Sequence, residues 1–219
     1  MPTPKPYYDE DGITIYHGDC RDTVSEVAPI PGLLLTDPPY GIDYTGGNGQ
    51  KVHGDAEAFD PRWLLVYGRC VIWGADNFAH LLPPSRGWIV WSKIQDQALI
   101  DGRSRMASSP VELAWSNVTT NPELFNHYWA GGGFHRVSEV GEHYHPTQKP
   151  AALMRWIVDR WTKPGELVFD PYMGSGPVAL ACHQLGRRYI GIEIEERYCE
   201  IAVKRLAQGV LPLEPSHAH

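Results

Sequence analysis

The C-terminal third of the chain contains the pattern that most constrains the fold: two strand–helix units in direct succession. Apolar residues 167–169 predict a strand, a glycine-rich turn follows, and a helix is expected over 177–185. A second strand and a second helix are expected over 189–192 and 196–206. Strands that alternate with helices pair in parallel and are covered by those helices. We therefore predict an α/β fold with a mainly parallel sheet.

The turn between the first of these strands and its helix has the features of a nucleotide-binding turn. Gly174, Gly176 and Ala179 satisfy the pattern G-x-G-x-x-G/A. Glu193 lies 19 residues after Gly174, where a carboxylate accepts hydrogen bonds from ribose hydroxyls. Asp170 would repel a pyrophosphate and would suit an ammonium or sulfonium group, so S-adenosylmethionine is favoured. The alternative is a helix-starting turn whose glycines serve packing alone.

A buried strand predicted over 33–36 ends in the stretch TDPPY, which joins hydrogen-bond acceptors to an aromatic ring. Asp37 precedes a proline and is therefore held in an extended conformation. Pro38 and Pro39 contribute carbonyl groups without N–H donors, and Tyr40 contributes a flat face for stacking. These groups suit the exocyclic amine of a base that has left the stack, because accepting its hydrogens frees the delocalised lone pair for methyl transfer. An ordinary strand-ending turn is the alternative.

Further strands and helices are expected along the rest of the chain. Asp60 followed by Pro61 is typical of a helix start. Residues 117–149 are rich in aromatic residues, His and Gly and are expected to be irregular. The expected strands span 13–16, 70–73, 88–91 and 111–115, and the expected helices span 63–67, 77–82 and 151–161.

Five short stretches, taken in order, resemble one enzyme family. They are HGDC (17–20), TDPPYG (36–41), HPTQKP (145–150), FDPYMGSGP (169–177) and GIEIEERY (191–198). The chain resembles the β-class, S-adenosylmethionine-dependent DNA amino-methyltransferases, the adenine-N6/cytosine-N4 family, in which the catalytic tetrapeptide precedes the cofactor turn in a circularly permuted motif order. WGADNF (73–78) and SRGWIVWSK (85–93) resemble segments of small phage and prophage members.

The resemblance implies a Rossmann-like, seven-stranded sheet in a single methyltransferase domain that spans 1–219. It also implies double-stranded DNA as substrate, a homodimer and a place in restriction–modification. No large extra domain is evident, so target recognition would fall to loops at about 42–60 and 93–145. The candidate DNA contacts in these loops are Lys93, Arg103, Arg105 and Arg136.

The resemblance also assigns site residues. Asp19 would lie near the adenine of the cofactor, Glu193 would hold its ribose, and Thr147 with Lys149 would approach its carboxylate. The catalytic pocket would consist of Asp37, Pro38, Pro39 and Tyr40. The full set of expected cofactor contacts is Asp19, Asp37, Thr147, Lys149, Phe169, Asp170, Pro171, Gly174, Ser175, Gly176 and Glu193.

Composition limits the remaining possibilities. No apolar run is long enough to span a membrane, and the proline-rich, acidic N-terminus does not resemble a signal peptide. The cysteines lack CxxC spacing and are expected to be reduced thiols in the cytoplasm. The net charge of −7 weakly opposes a nucleic-acid partner, but residues 61–149 hold 8 Lys or Arg and 7 Asp or Glu, so a DNA face should lie there. The cysteines are Cys20, Cys70, Cys182 and Cys199.

Several functions remain open on the sequence alone. Adenine-N6 methylation is the first hypothesis, because an aspartate opening the tetrapeptide favours adenine in this family, and cytosine-N4 methylation is the second. A dinucleotide-dependent oxidoreductase would explain the glycine turn but not DPPY, and an inactive DNA-binding protein is a further alternative. No metal is predicted, since the cluster of acidic and histidine residues over 135–145 matches no strong ligand spacing.

Overall fold

The computed structural model contains one large, mainly parallel sheet of nine strands. It describes residues 4–27, 30–46, 49, 51–95, 100, 109–130, 135–136, 138–139, 144 and 147–208. The strands are β1 (Tyr8–Glu10), β2 (Ile13–His17), β3 (Leu33–Thr36), β4 (Cys70–Trp73), β5 (Gly87–Ser92), β6 (Val111–Ser116), β7 (Glu123–Asn126), β8 (Trp129–Ala130), β9 (His135–Arg136), β10 (Leu167–Asp170) and β11 (Arg188–Glu193). The large sheet has the order β1-β2-β11-β10-β3-β4-β6-β5-β7, and β8 pairs with β9.

Helices cover both faces of the large sheet. Leu33 and Leu35 pack with the helices Ala151–Trp161, Pro177–Leu185 and Glu196–Gln208 on one face, whereas Leu34 packs with the helix Cys20–Val27 and a 3₁₀ helix on the other, because successive strand residues point to opposite faces. Among the described residues, no helix is both long and apolar enough to cross a lipid bilayer. The helices are α1 (Cys20–Val27), α2 (Ala151–Trp161), α3 (Pro177–Leu185) and α4 (Glu196–Gln208), with 3₁₀ helices Pro61–Tyr67, Ala75–Asn77 and Ala79–Leu81.

The predicted Rossmann-like α/β fold is confirmed, but among the described residues the sheet has nine strands rather than the expected seven. Strand β1 is added through Asp11 and Gly12, whose φ angles of 51° and 78° suit a two-residue hairpin turn. Strand β7 lies in a region expected to be irregular and pairs in parallel with β5. Both additional strands lie at the edges, so they lengthen the sheet without changing its parallel centre.

Two predicted helices differ in type from the structure, and one helix was not predicted. Asp60 accepts a hydrogen bond from the backbone N–H of Arg62 at 3.0 Å, as expected of a helix cap, but the helix that follows is 3₁₀. The helix predicted over 77–82 is instead two short 3₁₀ turns separated at Phe78, whose φ of −133° is not helical. Helix α1 follows Asp19, whose side chain accepts from the backbone N–H of Arg21 at 2.8 Å.

The parallel centre of the sheet brings polar residues to one edge. Strands β2, β11, β10, β3 and β4 run in the same direction, so their carboxyl ends lie side by side. The chain leaves β10 towards α3 on one face and leaves β3 towards the 3₁₀ helix Pro61–Tyr67 on the other. A crevice opens where neighbouring connections diverge in this way, and it is the usual place for a ligand in open α/β sheets.

Candidate active site

The carboxyl ends of β3, β10 and β11 open into a cavity of about 1050 Å³. A second cavity of about 260 Å³ lies beside it and shares part of its wall, including Tyr172 and Glu193. Together they have room for a drug-sized or nucleoside-sized ligand. The predicted site residues that line the larger cavity are Asp37, Pro38, Pro39, Tyr40, Lys93, Thr147, Lys149, Asp170, Gly174, Ser175 and Glu193. Asp19 and Pro171 line the smaller one.

The glycine turn forms one wall of the larger cavity. Gly174 has φ of +55°, and a Cβ added there would meet no atom within 4 Å, so the turn borders open space. Gly176 has φ of +77°, and a Cβ there would lie 2.7 Å from Cβ of Ala202 in α4. Gly176 is therefore required for helix packing, whereas Gly174 keeps the backbone accessible to a ligand.

Glu193 is fixed at the end of β11 by two backbone amides. One carboxylate oxygen accepts from the N–H of Gly174 and the other from the N–H of Glu195, both at 2.8 Å. Burial raises the pKa of Glu193, and these two donors oppose the rise. Each oxygen keeps a second lone pair, so the carboxylate can still accept from a diol.

Asp170 places a buried carboxyl group at the end of β10. It accepts from the hydroxyl of Thr36 at 2.7 Å and from the backbone N–H of Tyr172 at 3.2 Å. Burial raises the pKa of Asp170 to about 7 despite these donors. A cationic group beside this carboxyl would stabilise its ionised form.

Asp37 belongs to a hydrogen-bond network with Tyr40 and Lys149. One of its carboxylate oxygens accepts from the Tyr40 hydroxyl and the other from the Lys149 ammonium, each at 2.6 Å. Lys149 also donates to the Tyr40 hydroxyl at 3.0 Å and pairs with Glu112 at 3.0 Å. Glu112 in turn accepts from the ammonium of Lys93 at 2.9 Å. Two cations and two carboxylates therefore alternate through the cavity wall.

The pKa shifts within this group follow from burial and pairing. Burial raises the pKa of Asp37, although Lys149 and Tyr40 act in the opposite direction. Burial would lower the pKa of Lys149, but the carboxylates of Asp37 and Glu112 hold it well above its usual value. Burial would raise the pKa of Glu112, but Lys149 and Lys93 hold it below its usual value. Glu112 and Lys149 are therefore both charged at neutral pH.

Tyr40 is positioned by Gly74 on one side and by Asp55, in the loop that follows it, on the other. Its ring lies against Gly74, where an added Cβ would be 1.9 Å from the ring atom Cε1. The backbone N–H groups of Tyr40, Gly41 and Tyr44 all donate to the buried carboxylate of Asp55, at 2.6, 2.9 and 2.7 Å. Asp55 thereby fixes the chain immediately after DPPY.

Several predicted site residues lie elsewhere than expected. Phe169 is fully buried and its ring packs against Tyr67 in the core, so it lines neither cavity. Lys93 is not a solvated contact for DNA phosphates, because its ammonium is held by Glu112 and its side chain is only 10% exposed. Arg103 and Arg105 lie outside the described residues, and for Arg136 only the backbone, in β9, is described.

Two residues at the site were not predicted. Asp55 lies in a glycine-rich stretch that gave no sign of a buried carboxylate. Glu112 is the single charged residue in the strand VELAWS and interrupts its apolar run, and that interruption was the available signal. Among the described residues, no group of three or more His, Cys, Asp or Glu side chains could hold a metal ion, and His143 and His145 lie outside them.

Comparison with known proteins identifies the family. A family model of DNA methylases matches residues 86–204. Type II methyltransferase M2.LlaDCHI of Lactococcus lactis subsp. cremoris is 26% identical over 251 aligned residues, which cover 94% of this chain and 93% of that protein. The crystal structure of the M1.HpyAVI–SAM complex is 25% identical with a TM-score of 0.56, covering 89% of this chain and 98% of that chain.

A further solved structure shares the fold at lower identity. The PvuII cytosine-N4-specific DNA methyltransferase is 17% identical with a TM-score of 0.61, covering 98% of this chain and 91% of that chain. The family match spans more than half of this chain and includes the glycine turn and Glu193. The chain therefore belongs to the DNA methylase family of adenine-N6 and cytosine-N4 amino-methyltransferases.

Proposed function

We propose that the protein transfers a methyl group from S-adenosylmethionine to N6 of an adenine flipped out of double-stranded DNA. The observation that carries this proposal is the position of the Asp37 carboxylate in the same cavity as the glycine turn. A hydrogen-bond acceptor for a base amine and a binding turn for a nucleoside cofactor thus face one space. Cytosine-N4 methylation is the second candidate, since its amine would meet the same acceptors.

The residues present fit S-adenosylmethionine. Gly174 borders open space, Glu193 offers a fixed carboxylate to a ribose, and Asp170 offers a buried carboxyl whose raised pKa a cation would offset. Asp19 in the adjoining cavity is the candidate contact for the adenine, and Thr147 lines the larger cavity. The cofactor supplies a methyl group already activated by its sulfonium. A solved relative, M1.HpyAVI, contains the same cofactor.

The chain's own residues prepare the amine. Asp37 and the backbone carbonyl beside it accept the two amino hydrogens, which directs the nitrogen lone pair at the methyl group. The Asp37 carboxylate would accept the proton that the amino nitrogen gives up when it is methylated, and the bound cofactor would supply the methyl group by cleavage of its carbon–sulfur bond. Tyr40 offers the face of its ring to the flipped base. Positioning and electrostatics supply most of the catalysis in such a site.

The preference for adenine rests on the aspartate that opens the DPPY tetrapeptide. We further propose one domain, with recognition segments at about 42–60 and 93–145, that acts as a homodimer. The resemblance to the β-class enzymes supports these proposals. The Type II methyltransferase relative supports a place in restriction–modification.

Nucleoside mass spectrometry tests the proposal. Purified protein and S-adenosylmethionine are incubated with long genomic DNA from a host without DNA methylation, and the digested nucleosides are quantified. N6-methyladenine is the expected product. Detection of N4-methylcytosine would overturn the choice of base. The absence of both methylated bases would overturn the function. The Asp37→Ala variant is the control, and a fully active variant would remove Asp37 from the mechanism.

A further inference from the structure

The ammonium of Lys149 lies between two carboxylates. It is 2.6 Å from Asp37 and 3.0 Å from Glu112, and its side chain is only 3% exposed. Its third hydrogen bond goes to the Tyr40 hydroxyl. A lysine ammonium has three N–H donors, so these three partners use all of them.

Both oxygens of Asp37 are also occupied. Tyr40 donates to one and Lys149 to the other. A target amine that approaches the Asp37 oxygen bound by Lys149 competes with that ammonium for the carboxylate. A buried ammonium that lost its only carboxylate would be an uncompensated charge, which is strongly unfavourable. Lys149 can leave Asp37 without that penalty only because a second carboxylate is already within contact distance.

Neighbouring side chains hold Glu112 in place for its contact with Lys149. It lies on β6 opposite Trp91 of β5, and its other oxygen is held by Lys93, whose ammonium also lies 5.5 Å from the Trp91 ring. Lys93 thereby fixes the Glu112 side chain from the side away from Lys149. The charged and titratable groups that face Asp37 are Lys149, Tyr40, Glu112 and, from β10, Asp170.

We propose that Glu112 is a positioning residue for methyl transfer: its carboxylate holds the Lys149 ammonium when Asp37 exchanges that ammonium for the amino group of the target base. This inference rests on the proposed function, since it takes Asp37 as the acceptor of the amine. Glu112 does not touch the reacting atoms and acts through Lys149.

The test compares single-turnover methylation rates at saturating cofactor and saturating genomic DNA from the host without DNA methylation. Glu112→Gln keeps the shape of the side chain and removes its charge, so Lys149 should stay on Asp37. We expect the rate to fall by about tenfold or more, the change that one pKa unit of altered interaction produces. The matched control is Glu123→Gln, which removes the charge of a glutamate on β7 that pairs with Arg160 of α2, and its rate should stay that of the wild type.

The pH profile separates positioning from a general loss of structure. The charge of Glu112 raises the pKa of Asp37, so Glu112→Gln should move the acidic limb of the rate profile to lower pH while the plateau falls. Glu112→Asp keeps the charge and should return that limb towards the wild-type position. A lower plateau with an unchanged limb would overturn the proposal.

The double variant Lys93→Met/Glu112→Gln removes the Lys93–Glu112 pair as a neutral unit and keeps the test decisive if Glu112→Gln alone fails to fold. If Glu112 acts through Lys149, the folded double variant stays at least about tenfold slow. If Glu112 only neutralises Lys93, the double variant recovers the wild-type rate and the proposal is wrong. The absence of any methylated base with the wild-type protein would instead overturn the proposed function, so the two failures are distinguishable.

Discussion

Asp170 shows how a single buried carboxyl group can prepare a site for a cation. One of its oxygens accepts from Thr36 and Tyr172, its side chain is buried, and this burial raises its pKa to about 7. In the free protein the side chain is protonated below that pH. A bound ammonium or sulfonium favours the ionised form, so binding below pH 7 must expel a proton.

The affinity for the cofactor should therefore depend on pH. We expect the affinity for S-adenosylmethionine to fall as the pH drops below about 7, approaching tenfold per pH unit, and to level off above it. Calorimetric titration between pH 5.5 and 8.5 measures this, and buffers of different ionisation enthalpy report the released proton. Asp170→Asn should bind more weakly at pH 8 and lose the dependence. Equal wild-type affinity at pH 6 and pH 8 would contradict the assignment.

Glu193 allows a second prediction at the same scale. Glu193→Ala should weaken cofactor binding by about 1.5–3 kcal/mol, the value of hydrogen bonds to a charged group. Because the carboxylate also accepts from Gly174 and Glu195, part of that loss would come from the turn itself. Binding of S-adenosylmethionine and of free adenine to the variant separates the two, since only the former has a ribose. An unchanged affinity would place the ribose elsewhere.

The site residues that could be predicted from the sequence are those at the ends of strands. Asp37, Asp170 and Glu193 each follow or end an apolar run, so their meeting at one edge could be inferred from the order of the strands. The pairing of Lys149 with Asp37 could not, because it joins residues 112 positions apart and depends on side-chain rotamers. Phe169 was misplaced for a similar reason: β10 is buried on both faces, so its sequence does not show which side chains face a ligand.

The turn that leads into α3 contains two glycines, Gly174 and Gly176, with different roles. Gly174→Ala should cost about 1–2 kcal/mol of unfolding free energy, from its left-handed φ alone. Gly176→Ala should cost about 2–4 kcal/mol, because the same conformational penalty is joined by the contact with Ala202 in the neighbouring helix. Urea unfolding of both variants measures the difference. Equal losses would mean that α4 shifts to accept the methyl group.

Helices and strands could be predicted where the local sequence pattern and the packing in the fold favour the same structure. Helices α2 and α3 have the bounds predicted from their apolar periodicity and, for α3, from the glycine–proline start. Strand β7 was missed because its pattern is weak and its Leu124 remains 66% exposed, so only pairing with β5 reveals it. Strand β1 was missed although Asp11-Gly12 is a hairpin signal, because the strand has only three residues.

Across the whole molecule, the site is assembled from segments that are far apart in the chain. Asp37 follows a strand in the first fifth of the sequence, Lys149 precedes α2, and Glu193 ends the last strand. Arg205 of α4 joins two of these regions, since it donates to the carbonyl oxygen of Ser175 at 2.9 Å and pairs with Glu139, which also accepts from the N–H of Ala151. A ligand in the crevice therefore contacts elements from both ends of the chain.

Cofactor binding should consequently stabilise the protein as one unit. At about 100 times its dissociation constant, S-adenosylmethionine adds about 2.7 kcal/mol to the unfolding free energy. For a chain of 219 residues this corresponds to a rise in Tm of about 5–10 °C, in a single transition if the chain is one domain. Differential scanning fluorimetry measures it.

NADH provides the matched control for that experiment, because it shares the adenosine of S-adenosylmethionine but carries a pyrophosphate, which Asp170 disfavours. NADH should leave Tm unchanged, and Asp170→Asn should reduce the shift caused by S-adenosylmethionine at pH 8. A shift with NADH and none with S-adenosylmethionine would assign the glycine turn to a dinucleotide and leave Asp37 without a methyl donor. A shift confined to one of two transitions would show that the two ends of the chain do not fold together.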